Sequence, residues 1–218
     1  MSARETAPRG RHAPPLEIRQ DRQRQRLFRA ASAVFARNGY AEATAEAIAR
    51  EAGMSKATFY EHFDNKEDCI IALFDAASEA VLAAMSQAPA PETADPATRY
   101  QAAIGAFLGA LGAFPDEAQT LLVEVIGAGP RAMQRRDRVL AAFAEFIDAT
   151  NAADAAAGLV PRLAGPEDSF AIVGAVVELA SRQLRTGQPA HVSELEPVVE
   201  RLIVGLLAAS DSSAPAAA

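Results

Sequence analysis

Glycine and proline interrupt this chain at intervals, and between the interruptions apolar residues recur every three or four positions. That rhythm limits the possible folds more than any other feature of the sequence. Leu27, Ala30, Ala31, Val34 and Phe35 fall on one side of a helix, as do Ile70, Leu73, Phe74, Ala77, Val81 and Met85. Stops fall at Asn38-Gly39, at Gly53, at Pro89 with Pro91, at Phe114-Pro115, from Gly127 to Pro130, at Gly158 with Pro161 and at Gly187 with Pro189. No run alternates apolar and polar residues as a half-buried strand would. Alanine dominates between the stops, and it joins a helix without losing side-chain entropy. The expected fold class is therefore all-α. With 50% hydrophobic residues in 218, the chain can bury a sizeable core, as one large domain or as a small domain with a larger one.

The stops predict a specific order. Residues 1–18 mix Arg4, Arg9 and Arg11 with Pro8, Pro14 and Pro15, which reads as a disordered basic arm. A helix follows to Asn38. Thr44 is placed to cap a short helix through Glu51, with Glu46 favouring its dipole, and Ser55 to cap another running to about Phe63. Two short helices joined at Gly53 behind a longer one make a helix-turn-helix domain over 19–65. A helical domain over 66–210 comprises helices near 66–87, 96–113, 116–126, 130–157, 167–186 and 193–209. Ser193 with Glu196 reads as a capping box for the last, with Pro197 in its first turn, and a disordered tail fills 211–218.

Charge divides along the same line. Residues 1–66 carry twelve Arg and Lys against eight Asp and Glu, whereas 67–218 carry nine against twenty, a +4 front on a −11 body. Such asymmetry points the front end at an anion, although a solvated basic segment has the same composition. A lone cysteine, Cys69, has no internal disulfide partner and reads as a small buried hydrophobe. Neither a signal-peptide core nor a run of about 18 apolar residues is evident, so a cytoplasmic protein with no membrane partner is expected.

The densest information lies between Arg26 and Asp68, in RLFRAASAVFARNGYAEATAEAIAREAGMSKATFYEHFDNKED. Phe35-Ala36, Gly39-Tyr40, Thr44, Ile48-Ala49, Ala52-Gly53-Met54-Ser55-Lys56, Thr58-Phe59-Tyr60, His62-Phe63 and Asn65-Lys66-Glu67 stand at fixed spacing. This block resembles the DNA-binding domain of the TetR family of transcriptional regulators. The resemblance implies a sequence-specific DNA-binding regulator, a repressor released from its operator by a small molecule.

The side chains support a DNA-reading face independently. Phe59 and Phe63, four apart, share an inward face of the helix from Ser55, while Ala57 and Glu61 point the opposite way. A recognition helix places its N-terminal residues at base edges in the major groove, so Ser55, Lys56, Ala57 and Glu61 are the base-reading candidates. Lys56 suits guanine O6 or N7, and Ala57 a thymine methyl. Glu61 either accepts from a cytosine N4 amine or lies along the backbone beside a basic residue. Thr44, Thr58, Tyr60, His62 and Lys66 are assigned to phosphates, which position without specifying, and matching family positions contact phosphate. Thr44 is a helix cap in any case. Arg19, Arg22, Arg24 and Arg26 either enter an adjacent minor groove, sit on phosphates or merely solubilise.

One such head touches one half-site, so the expected partner is a pseudo-palindromic double-stranded operator bound by a homodimer. By resemblance, the last two long helices pair in that dimer. Ile172, Val173, Val176, Val177 and Ala180, with Val199, Leu202, Ile203 and Leu206, are the interface candidates, and ordinary core is the competing reading. An effector, largely apolar, is expected among Phe107, Phe114, Leu121, Leu122, Phe143, Phe146 and Ile147, and Glu124 and Glu145, on otherwise apolar helices, either meet a cationic or hydroxyl-bearing ligand or, the favoured reading, face solvent. By resemblance again, the ligand tilts the helix beginning at Lys66. His12, His62 and His191 are the only histidines, and no metal-ligand cluster, nucleophile elbow or phosphate-cradling loop is recognisable. No catalytic activity, metal or cofactor is expected. The alternative is a helical small-molecule-binding or scaffold protein with a degenerate head, and Glu61 is the residue that favours it.

Overall fold

The computed structural model describes residues 15–88 and 95–212, and within them every regular element is helical. The elements are α1 (Leu16–Glu42), α2 (Ala45–Glu51), α3 (Lys56–Tyr60), α4 (Lys66–Ser86), α5 (Pro96–Ala113), α6 (Pro115–Leu122), α7 (Pro130–Ala156), α8 (Pro166–Thr186) and α9 (Glu196–Ser212). Single 3-10 turns at Glu124–Gly127 and Val192–Leu195 lead into α7 and α9.

Local chemistry accounts for most of the boundaries. Thr44, Ser55, Asn65 and Asp95 each accept a backbone N–H three residues on, from Ala47, Thr58, Asp68 and Thr98, capping α2, α3, α4 and α5. Proline opens α5, α6, α7 and α8, where a missing N–H costs nothing. Gly187 ends α8 in the left-handed conformation at φ 65°.

Three expectations need correction. Helix α1 begins at Leu16, inside the segment expected to be a disordered arm, and residues 1–14 lie outside the described set. At Gly39, where a stop is expected, φ 76° breaks the regular helix, and a short second stretch carries the element on to Glu42. The reciprocal cap before α9 is set one turn early: Glu194 Oε1, not Glu196, accepts a backbone N–H, from His191 at 2.9 Å. Finally, α4 is long and apolar enough to cross a membrane by length and composition, with a mean hydropathy of 1.7 over its most apolar window. Here it packs on α5 and α7 and buries Cys69, Ile70, Leu73 and Phe74, with 28% of that window buried within the chain.

The head's core is Leu27, Phe28, Val34 and Phe35 of α1 with Ile48, Phe59 and Phe63. Phe63 stacks at 5.8 Å from Phe28 and 5.5 Å from Phe59. This core continues through Cys69 and Ile70 into the body, where α1 packs on α6 and α7 on α8. Cys69 is fully enclosed as expected. Burial pushes its thiol up to about 12, against the opposing pull of Arg24, so it stays an unreactive thiol.

Phe59 has no exposed surface and joins all three head helices, so Phe59→Ala is expected to cost roughly 3–5 kcal/mol, read by chemical denaturation of the whole chain.

Candidate nucleic-acid interface and effector cavity

The turn between α2 and α3 is built from Ala52 to Ser55, with Gly53 at φ 64°. A side chain at Gly53 is disfavoured twice. The backbone is left-handed, and a Cβ would stand 3.4 Å from Arg26 Nη2. Arg26 reaches over from α1 and donates to Ala52 O at 2.6 Å, latching the turn to the long helix. Arg24 lies 5.2 Å from the Phe28 ring and 5.1 Å from the Phe63 ring. Both arginines therefore serve the head's own structure, while Arg19 and Arg22 stay exposed along the start of α1.

The face predicted to read bases is open. Ser55, Lys56, Ala57 and Glu61 are all exposed, and Phe59 and Phe63 turn inward as the spacing requires. Ser55 Oγ accepts from Thr58 N and lies 3.0 Å from Thr58 Oγ1, so the hydroxyl pair is shared between capping and the surface. Lys56 approaches Glu46 of α2 at 4.0 Å with both side chains more than half exposed, a contact worth little in water. Tyr60 projects from the end of α3 with 48% of its surface exposed. Helix α3 is shorter than expected, and Glu61 is its C-cap.

Two phosphate candidates are used otherwise. The Lys66 ammonium donates to Tyr40 O, Ala41 O and Ala43 O at 2.8, 2.9 and 3.0 Å and lies 4.4 Å from the Tyr40 ring centre. All three of its N–H donors are engaged by the end of α1, so its assignment to phosphate is corrected: it is a clasp. His62 Nε2 stands 3.4 Å from Gln23 Oε1 and the residue is half-buried, facing α1 as much as solvent. Thr44 is exposed, as a cap whose hydroxyl proton points to no protein acceptor among the described bonds.

A second group of contacts joins head to body. Glu124, expected to meet a ligand or solvent, instead turns to the head. It accepts Tyr40 N at 2.9 Å just past the Gly39 kink and Gln119 Nε2 at 3.1 Å. Glu145 is exposed. Arg131 of α7 bridges Asp68 at 2.8 Å and Glu67 at 3.3 Å, and Arg135 pairs with Asp75.

The body holds two adjoining cavities. The wider, about 380 Å³, lies among the ends of α4, α5 and α7, with Tyr100, Phe146, Ile147, Thr150 and Asn151 in its wall. The narrower, about 100 Å³, lies deeper, between Phe107, Leu121, Leu122, Val139 and Phe143. Met85, Ile104, Ile172 and Ile203 line both. Six of the seven ligand candidates thus come together around this space, and Phe107 meets Phe143 edge-on at 6.2 Å. The seventh, Phe114, does not: between α5 and α6 it is 60% exposed, because Pro115 ends the helix and turns it outward. Tyr100, Thr150 and Asn151 were not foreseen, being polar residues on helices read for their apolar stripe.

The dimer candidates are corrected in part. Ile172, Val173, Val177, Ala180 and Val199 are buried within the chain, and Val176 and Ile203 also line a cavity. The apolar stripes of α8 and α9 that the sequence displays are their inward stripes. What the two helices leave outside is Phe170, Val198 and Val204, with Leu202 and Leu206 half-covered.

Residues 27–73 match the model for the bacterial regulatory proteins of the tetR family. The likeness to the tetR family thus covers the helix-turn-helix head and the start of the body. The chain is 35% identical over 127 residues to the HTH-type transcriptional regulator TcmR of Streptomyces glaucescens, a match spanning 58% of this chain and 53% of that protein. This chain thus aligns with about half the length of that curated relative. Among solved structures its fold is similar to the fatty acid degradation regulator FadR of Bacillus halodurans, with a TM-score of 0.74 at 22% identity over 85% of this chain and 94% of that one. FadR of Bacillus subtilis, solved in complex with stearoyl-CoA, gives a TM-score of 0.72 at 20% identity over 83% and 97%. The fold shared with these two structures accordingly extends through the body, well beyond the matched head.

Replacing Lys66 with Met is expected to lower stability by about 1–3 kcal/mol in denaturant titrations, since three carbonyls lose a charged donor. The salt slope of DNA binding should not change. A slope reduced by roughly one would return Lys66 to the phosphate set.

Proposed function

We propose that this chain is a sequence-specific transcriptional regulator, a homodimeric repressor whose operator affinity falls when a small molecule enters the body. One observation carries the reading: the residues from Ser55 to Ala57 stand exposed at the start of α3, on a helix-turn-helix whose turn Arg26 latches and whose junction Lys66 clasps. Lys56 and Ala57 read bases, and Thr44, Thr58 and Tyr60 position the head on phosphates. Arg19 and Arg22, exposed on α1, extend the electrostatic footprint. The +4 front and −11 body orient the molecule on a polyanion.

A pseudo-palindromic operator is the corresponding DNA partner, because a single head contacts few base pairs. The outer faces of α8 and α9, with Phe170, Val198 and Val204, form the dimer contact. Effector binding acts through α4. Met85, near its end, lines both cavities, while Lys66 at its start clasps the end of α1, so one rod of about 32 Å links the two sites. The turn after α6 offers a parallel route, from Leu121 and Leu122 at the narrower cavity to Glu124 at Tyr40 N. Release requires that the ligand prefer the state with weaker DNA affinity. The stearoyl-CoA held by the Bacillus subtilis structure supports a small-molecule effector in this fold.

Titrating the full chain against its own upstream DNA by mobility shift tests the proposal. Tyr60→Phe should weaken binding several-fold for all sequences alike, and Lys56→Ala should relax preference at one position of each half-site by about 1–3 kcal/mol. Glu61→Ala separates a cytosine contact, lost at one base pair, from a backbone position, changed uniformly. A chain that yields no sequence-specific complex at moderate salt is not this regulator.

A further inference from the structure

The polar groups around the wider cavity share one bias. Tyr100 Oη donates to Asp154 Oδ2 at 2.9 Å, Thr150 Oγ1 donates to Phe146 O at 2.8 Å, and Ser86 Oγ donates to Ala83 O at 3.0 Å. A hydroxyl has one proton, and each of these has committed it to the protein, leaving lone pairs for whatever enters. Burial, then the bond to Asp154 and its charge, push the Tyr100 phenol up to about 12, so that proton stays in place at neutral pH. Asn151 is similarly occupied: its Nδ2 donates to Pro161 O at 3.0 Å, and its Oδ1 accepts from Arg162 Nη1 at 2.8 Å and Leu163 N at 2.9 Å. The wall is therefore rich in acceptors.

Its charge is also balanced. Arg99 lines the cavity paired with Asp154, which is 8% exposed, and Arg162 nearby is held by Asp148. No lysine follows Lys66 in the chain. A carboxylate entering this space would meet a neutralised guanidinium and a row of lone pairs, and an ammonium would find no net negative charge. Behind the polar wall, the narrower cavity is lined by Phe107, Leu121, Leu122, Val139 and Phe143, and four shared residues set the two spaces side by side.

We infer that the effector is an uncharged, hydroxyl-bearing amphiphile, its apolar body filling the narrower cavity and its hydroxyl groups donating to Thr150 and to the Tyr100 oxygen, which Asn151 also approaches as a donor, in the wider one. This rests on the regulatory reading above for its biological meaning, but the binding chemistry stands by itself. It differs from the acyl-CoA held by the Bacillus subtilis structure, whose phosphates require cations that this wall does not offer.

Direct binding to the full chain, without DNA, tests it. Four fluorescent probes share one body: 9-anthracenemethanol, 9-methylanthracene, anthracene-9-carboxylate and 9-aminomethylanthracene, with stearoyl-CoA as a competitor. The alcohol is expected to bind roughly tenfold more tightly than each of the others, the scale of one well-made hydrogen bond in a buried site. In the Tyr100→Phe, Thr150→Val double variant that preference should fall to about one, while the methyl probe binds as before and reports an intact cavity. Carboxylate, amine or stearoyl-CoA binding as tightly as the alcohol overturns the inference. So does an alcohol preference unchanged in the variant, or an alcohol that does not bind at all. A failed mobility shift with the alcohol preference intact would instead remove the regulatory reading and leave this one standing.

Discussion

The Lys66 ammonium meets three carbonyl oxygens at the end of α1, within 2.8 to 3.0 Å, and lies over the Tyr40 ring. A helix end presents unsatisfied carbonyls and the negative pole of its dipole, and a cation there satisfies both at once. Because Lys66 is also the first residue of α4, the same contact joins the last turn of the head's longest helix to the first turn of the body. The Gly39 kink aims the carbonyls of Tyr40, Ala41 and Ala43 at one point. Glu124 on Tyr40 N and Arg131 on Glu67 and Asp68 secure the same junction from the body's side.

This economy of cations explains the shape of the interface. Arg26 latches the α2–α3 turn, Arg24 covers Phe28 and Phe63, and Lys66 closes α1. A basic head would otherwise present a diffuse positive surface that binds any polyanion. With those three charges engaged by the head's own groups, Lys56 at the start of α3 faces outward, as do Arg19, Arg22, Arg29, Arg37 and Arg50. On the proposed reading, positioning and base reading are divided between different residues, as is general in DNA recognition.

Most of the architecture was legible because it depends on local rules. Caps at Thr44, Ser55 and Asn65, prolines at helix starts and the inward pair Phe59 and Phe63 are all decided within four residues of themselves. The misreadings concern choices that only tertiary structure makes. A lysine after an N-cap looks like a phosphate ligand until the carbonyls 23 to 26 residues earlier are seen to converge on it. Glu124 looks like a pocket or solvent-facing carboxylate until the Tyr40 amide stands opposite. The valines of α8 form one apolar stripe in sequence, and periodicity identifies the buried face without saying whether this chain or a second copy buries it. Asn151, Tyr100 and Asp154 escaped notice because a buried polar network on apolar helices has no repeat to betray it.

The central claim is that the exposed start of α3 reads DNA sequence while the groups behind it only hold it there. Selection of bound duplexes from a randomised pool, with the unaltered chain and with Lys56→Ala, tests that division most directly. The account predicts an inverted repeat from the unaltered chain and the same repeat from the variant, degenerate at one position of each half-site. A pool that stays random with the unaltered chain, or an identical consensus from both proteins, would contradict it.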